Sequence, residues 1–151
     1  MAQAEPNFVK PNLFEAFFNR ALGLFVGIGL GPKDYYLLKV RGRKSGRVYA
    51  TPVSIIEYDG CRYVVAPRGN TQWVRNARTA GRIALCAGWK RDRFEVREIP
   101  AADRPPILKS YLARYAKFVQ RYFQVQNGAP EAEFAAVAGC YPVFELIPAV
   151  A

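Results

Sequence analysis

The chain of 151 residues contains no histidine. That absence removes Ser-His-Asp and Cys-His nucleophilic machinery, histidine-ligated metals, and the side chain whose unperturbed pKa suits acid–base work near neutrality. An enzyme built from this sequence is therefore expected to leave the hard chemical step to a cofactor. Cysteine is scarce as well. Cys61, Cys86 and Cys140 are odd in number, widely spaced and without CxxC pairing, so neither a disulfide framework nor a zinc site is expected, and a reducing cytoplasm fits best. Acidic residues number 12 against 22 Lys and Arg. Glu57, Asp59, Asp92, Glu95, Glu98 and Asp103 fall on strands or turns, where surface charge and helix capping are the plain expectation, and no glycosidase-like pair stands out.

Long apolar runs are also missing. Leu13–Gly31, LFEAFFNRALGLFVGIGLG, comes nearest to a membrane span, but Glu15, Asn19 and Arg20 interrupt it and no basic leader or small-residue cleavage site frames it. Neither a secretory signal nor a transmembrane helix is expected. The chain has no low-complexity run or internal repeat.

What is present suits one domain, residues 13–151, behind a mobile arm at 1–12: half the residues are apolar and 14% are aromatic, enough to bury a core. The formal charge of +10 and a pI near 9.8 point to an anionic partner, whether nucleic acid, an anionic membrane surface or a phosphorylated small molecule. Asn12 can cap a helix whose stripe is Leu13, Phe14, Phe17, Phe18, Ala21, Leu22 and Phe25, ending near Gly27–Gly31. From Tyr35 the pattern turns to strands, YYLLKV, VYATPVSIIEY and CRYVVAP, with Asp59-Gly60 as a tight hairpin turn between the last two. Asn70-Thr71 can cap a short helix that stops at Gly81; RIALCAG and RFEVREI follow as a strand pair turning around Trp89–Asp92. Asp103 can cap a longer helix with an apolar face from Ile107 through Phe118, Val119, Tyr122 and Phe123, and a short helix and the strand YPVFELI close the chain. About six mainly antiparallel strands and four helices imply an α+β fold, a small barrel with flanking helices.

Two clusters carry the candidate chemistry. Arg41-Gly42-Arg43-Lys44-Ser45-Gly46-Arg47 joins the first two strands, and with Lys39 it crowds five positive charges into nine residues. Its glycines let backbone N–H groups converge, while Arg43, Lys44 and Ser45 can donate to phosphate oxygens. Lacking GxxxxGK[ST] and not opening a helix, it is no nucleotide P-loop, and a solvated basic loop explains it equally well. The second cluster, Ala66-Pro67-Arg68-Gly69-Asn70-Thr71-Gln72-Trp73-Val74-Arg75-Asn76, lies where a strand meets a helix N-terminus, a setting that favours a negative group. For Trp73 and Asn76 a core anchor and a structural hydrogen bond compete with a site role.

In this order, GRKSGRVYATPVSIIEYDGCRYVVAPRGNTQWVRNARTAGRIAL resembles the deazaflavin-dependent nitroreductase and quinone reductase family of actinobacteria, strongly over residues 37–88. The resemblance implies a split β-barrel that binds coenzyme F-420, a deazaflavin carrying a phosphate and an oligoglutamate tail, and passes a hydride from it to a quinone or a similar activated unsaturated acceptor. It implies that Arg43, Lys44, Ser45 and Gly46 hold the phosphate end and that Thr51 and Pro52 lie beside the ring. Ala66, Pro67, Arg68 and Gly69 would line the ring pocket, with Trp73, Arg75 and Asn76 framing it. Tyr111 and Tyr115 on the long helix are candidates for hydrogen-bonding the acceptor, while Tyr122 reads as core. Relatives have a longer Gly-Gly-containing segment before the tryptophan; here only Gly69-Asn70-Thr71-Gln72 precedes Trp73. The resemblance also implies peripheral membrane contact through the phenylalanines of the first helix, and a homodimer. An FMN-dependent barrel oxidoreductase, a non-catalytic cofactor carrier and a basic nucleic-acid-binding barrel remain open readings, the last disfavoured by dispersed charge and the lack of an RRM-like aromatic signature.

Overall fold

Six segments of strand-like apolar patterning each form a strand in the computed structural model, which describes residues 34–149. The expected arm and first helix, with its proposed membrane contact, lie outside the described residues. The strands are β1 (Tyr35–Arg41), β2 (Val48–Tyr58), β3 (Cys61–Val65), β4 (Arg82–Ala87), β5 (Lys90–Glu98) and β6 (Val143–Pro148). They form a closed barrel in the order β1-β2-β3-β6-β5-β4, and every neighbouring pair is antiparallel. The ring closes where β1 meets β4 through Leu37↔Cys86, Leu38↔Leu85 and Lys39↔Ala84, which leaves no open edge. Asp59 and Gly60 both take positive φ, 50° and 79°, as a tight two-residue hairpin turn requires. The β4–β5 turn begins earlier than the sequence suggests: Gly88 at φ 60° makes a two-residue turn with Trp89, so β5 starts at Lys90 and Trp89 stands fully exposed at the tip.

Alternation along the strands sorts the apolar residues into two cores. All six strands contribute to the barrel interior through Leu38, Val40, Val53, Ile55, Val64, Ile83, Leu85, Phe94, Phe144 and Leu146. The helix α1 (Gln72–Ala80) adds Val74 and Ala77 and stops at Gly81, whose left-handed φ of 71° turns its N–H back to the Ala77 carbonyl. The alternate strand positions Ile56, Tyr63, Val65 and Val143 form the second core with α2 (Pro105–Val119), which contributes Ile107, Leu108, Tyr111, Leu112 and Tyr115, and with α3 (Glu131–Val137), which contributes Phe134.

Two expectations about α2 differ from the structure. Asp103 ends a short 3-10 turn (Ala101–Asp103) and the N-cap position falls to Arg104. The reason is burial: Arg104, 7% exposed, donates to the carbonyls of Ile99 and Ala138 at 2.7 and 3.0 Å, and that attachment sets where the helix begins. The apolar stripe also outruns the helix. Backbone at Tyr115 leaves helical geometry (φ −116°, ψ 17°), α2 ends at Val119, and a 3-10 turn carries Gln120–Tyr122. Phe118, expected in the core, is exposed. Among the described residues no helix is long and apolar enough to cross a membrane.

Candidate functional site

The β1–β2 loop is organised from within. Gly42 N–H donates to the Arg47 carbonyl at 2.6 Å, Gly46 N–H returns to the Gly42 carbonyl at 3.0 Å, and Arg41 Nη1 reaches the Gly46 carbonyl at 2.7 Å. Gly46 sits at φ 72°. A Cβ at Gly42 would lie 2.5 Å from Cε2 of Tyr49, so the tyrosine ring packs where only glycine leaves room. Ser45 Oγ lies 3.1 Å from the Tyr49 hydroxyl and accepts the Arg47 N–H at 3.2 Å.

Helix α1 then grips this loop. Asn76, 4% exposed, accepts at Oδ1 from the Arg43 backbone N–H at 3.1 Å and from Arg43 Nη1 at 2.8 Å, and the same Nη1 reaches Gln72 Oε1 at 2.9 Å. The two sequence clusters therefore meet through Arg43. That guanidinium is tied to the helix, whereas its neighbour Lys44 is exposed and has no hydrogen-bond or ion-pair partner among the described residues. The β3–α1 junction is a run of turns: Ala66 N–H bonds Pro142 O, Gly69 N–H bonds Ala66 O with Gly69 at φ 86°, and Thr71 N–H bonds Gly69 O. Trp73 is half-buried and packs its ring 5.9 Å from that of Phe144.

Between these elements lies a cavity of about 1260 Å³. The loop supplies Arg43, Lys44 and Ser45; β2 supplies Thr51 and Pro52; the junction and α1 supply Ala66, Pro67, Arg68, Trp73 and Asn76; α2 supplies Tyr111. Four residues of the sequence-derived set do not line it. Gly46 and Gly69 shape the turns beside it, and Arg75 is on the exposed side of α1. Tyr115 is buried, and its hydroxyl donates to the Ile55 carbonyl at 2.6 Å. Burial pushes its phenol up to about 12, the largest cause, and pushes Tyr111 further up still. Both are neutral near neutrality, and of the two only Tyr111 faces the cavity.

The wall that sequence reasoning missed comes from the end of α2 and its following turn, with Lys117, Phe118, Arg121 and Tyr122. A helical stripe running through Tyr122 hid it, because the kink at Tyr115 has no mark in the sequence. Lys117 and Arg121, two cations four apart that interrupt that stripe, were the available signal. Tyr35 and Ser54 were missed as well; burial raises the Tyr35 phenol, partly offset by its hydrogen bond with Ser54.

The lining carries five cations, Arg43, Lys44, Arg68, Lys117 and Arg121, and no carboxylate among the described residues. Thr71 Oγ1, at the N-cap of α1 and on the cavity wall, is buried without a hydrogen-bond partner. Val40, Val53, Val65, Ala66 and Trp73 supply an apolar stretch of the lining. Such a donor set suits a ligand with a flat apolar body and negative ends.

Residues 13–130 match the family described as F420H(2)-dependent quinone reductase. No curated protein matches the chain significantly. Among solved structures, an F420-H2-dependent reductase superposes with a TM-score of 0.51 at 19% identity, over 76% of this chain and 94% of that one. A protein of the NimC/NimA family from Clostridium acetobutylicum gives 0.51 at 17% identity, over 84% and 79%. A domain-swapped dimer gives 0.54 at 18% identity, over 88% and 92%. At these identities the structural likeness speaks for the barrel fold, and the family match speaks for the cofactor. The chain belongs to the F420H(2)-dependent quinone reductase family and is an oxidoreductase that uses coenzyme F-420.

Proposed function

We propose that this protein transfers a hydride from reduced coenzyme F-420 to a quinone or a similar activated unsaturated acceptor, with both bound in the barrel-side cavity. The observation that carries the reading is a lining with five cations and no carboxylate among the described residues, around an apolar middle that holds an orphaned hydroxyl, Thr71 Oγ1. F-420 fits this set: a ring for the apolar middle, a phosphate and a tail for the cations.

In this reading Lys44 takes the phosphate end, and Arg43, through Asn76 and Gln72, positions the loop that presents it. Thr51, Pro52, Ala66, Pro67 and Trp73 flank the ring, and Thr71 Oγ1 is free to pair with one of its polar atoms. When bound, the reduced deazaflavin supplies a hydride and a proton, so that a quinone leaves as the hydroquinone. The chain itself needs only to stack, orient and exclude water, which is compatible with its lack of histidine. Tyr111, neutral and facing the cavity, is the hydroxyl placed to hydrogen-bond an acceptor oxygen. A homodimer is in keeping with the domain-swapped solved neighbour.

Titration of the protein with F-420, followed by quenching of the deazaflavin fluorescence, tests the reading directly, and reoxidation of the reduced cofactor by a naphthoquinone tests the acceptor. Lys44→Ala is expected to weaken binding by about 1.5–3 kcal/mol, the scale of a charge-assisted hydrogen bond. Unchanged affinity in that variant would show that the loop is not the phosphate site.

A further inference from the structure

We infer that the tip of the β4–β5 hairpin is a docking point for an anionic bilayer surface, with Trp89 as the side chain that enters it. The surface lies outside the cavity and uses none of its cations. Only its purpose, delivery of a lipid-dissolved acceptor, rests on the hydride-transfer reading above.

Trp89 is fully exposed, although a tryptophan usually removes about 150–250 Å² from water. Neither packing nor the turn accounts for it. A two-residue turn of this kind asks for glycine at its first position, which Gly88 at φ 60° supplies, and its second position is better served by a small polar residue than by an indole. The pair Ala87↔Lys90 closes the turn beneath the ring, so the indole stands on a paired, convex tip.

Three cations follow it. Lys90, Arg91 and Arg93 are all exposed, and none has a hydrogen-bond or ion-pair partner among the described residues. Strand alternation puts Arg91 and Arg93 on the outer face, opposite the small residues Cys86 and Ala84, while Asp92 between them alternates to the other face, opposite Leu85. An indole ahead of a cluster of cations matches the headgroup region of a bilayer: the amphipathic ring sits at the interface and the cations meet anionic lipids. Single-stranded nucleic acid calls instead for a groove with successive stacking rings, whereas this tip is convex and Trp89 is the hairpin's one exposed aromatic.

The tip also stands beside the cavity. β1 and β4 are neighbours, and the pair Leu37↔Cys86 sets Tyr35 and Gly88 level with each other, two residues further along each strand. Tyr35 lines the cavity and packs edge-on, 6.1 Å away, against Phe118, an exposed residue of the same lining. A bilayer that takes Trp89 therefore meets the rim where Phe118 borders the cavity.

The test mixes the full chain with vesicles of phosphatidylcholine alone and with vesicles containing a quarter phosphatidylglycerol, and reads co-sedimentation and tryptophan emission. The wild type is expected to bind the anionic vesicles, with a blue-shifted emission that brominated lipid quenches, and to bind the neutral ones at least tenfold more weakly. Trp89→Ala should lose the spectral change and about tenfold in binding, and Arg91→Gln or Arg93→Gln about fivefold each. All three positions are exposed, and unchanged melting temperatures and unchanged F-420 quenching confirm that the variants fold. No binding to anionic vesicles overturns the inference, and so does binding that Trp89→Ala leaves at wild-type strength, which would place any membrane contact elsewhere in the chain. Trp89 emission that is already blue-shifted and shielded from acrylamide without vesicles also overturns it, because the chain itself would then cover the tip, and so does retention of the wild type on RNA in place of vesicles. If vesicles bind and F-420 does not, the functional reading falls while the docking surface stands.

Discussion

At the scale of single residues, Arg43 and Lys44 carry the same charge and sit side by side, yet one is bonded to Asn76 and Gln72 and the other faces the cavity unpaired among the described residues. Asn76 fills both roles the sequence allowed it, a structural hydrogen bond and a position on the site wall. The tyrosines divide in the same way. Tyr115 is occupied by the Ile55 carbonyl, so Tyr115→Phe is expected to lower stability by about 1 kcal/mol. Because burial raises its phenol from 10 to about 12, the unfolded chain loses the proton first. Stability should hold below pH 10 and decline as pH rises toward about 12, and Tyr115→Phe should flatten that decline in denaturation midpoints. Tyr111→Phe is expected instead to lower turnover of a quinone about three- to tenfold while F-420 quenching still titrates, the scale of one neutral hydrogen bond.

At the scale of elements, one ion cluster joins three of them. Arg78 of α1 grips Glu98 at the end of β5 with two bonds of 2.8 Å, and Arg104, at the start of α2, adds a third at 3.2 Å. Arg78 above all, through its hydrogen bonds, holds the Glu98 carboxyl below the usual carboxylate range, so its contribution is present near neutrality and is lost as pH falls through its lowered pKa. Nothing in the stretch Ala101–Pro106 advertises this, since Arg104's main partners are backbone carbonyls, one of them at Ala138, 34 residues away. Arg104→Met should leave those carbonyls unpaired and cost about 1–3 kcal/mol, read as a shift in the urea midpoint. A midpoint equal to that of the wild type would show that the cluster does not hold α1, β5 and α2 together.

At the scale of the whole molecule, the charge of +10 is no longer spread without purpose, since five of its cations line one cavity. Exposed cations are screened beyond about 8–10 Å at physiological salt, so F-420 affinity should fall as salt rises from about 0.05 to 0.5 M. Quenching titrations across that range check it, and Lys44→Ala should show a shallower dependence. The barrel itself was legible because its signals are local: Asp59-Gly60 requires its hairpin, and alternation assigns Ile55 and Ile56 to opposite faces. The wall at Lys117–Tyr122 was not legible, since the same residues continue a helical stripe and only the break at Tyr115 turns them toward the cavity.

By itself, then, the sequence determined the six-stranded barrel and, by lacking histidine, made a cofactor the expectation for any enzyme built from it, because turn chemistry, strand period and composition act over a few residues or over none in particular. Only the tertiary structure decided which cations face the ligand. Arg43 and Lys44 differ in partners rather than in charge, and those partners lie on a helix some 33 residues further along the chain.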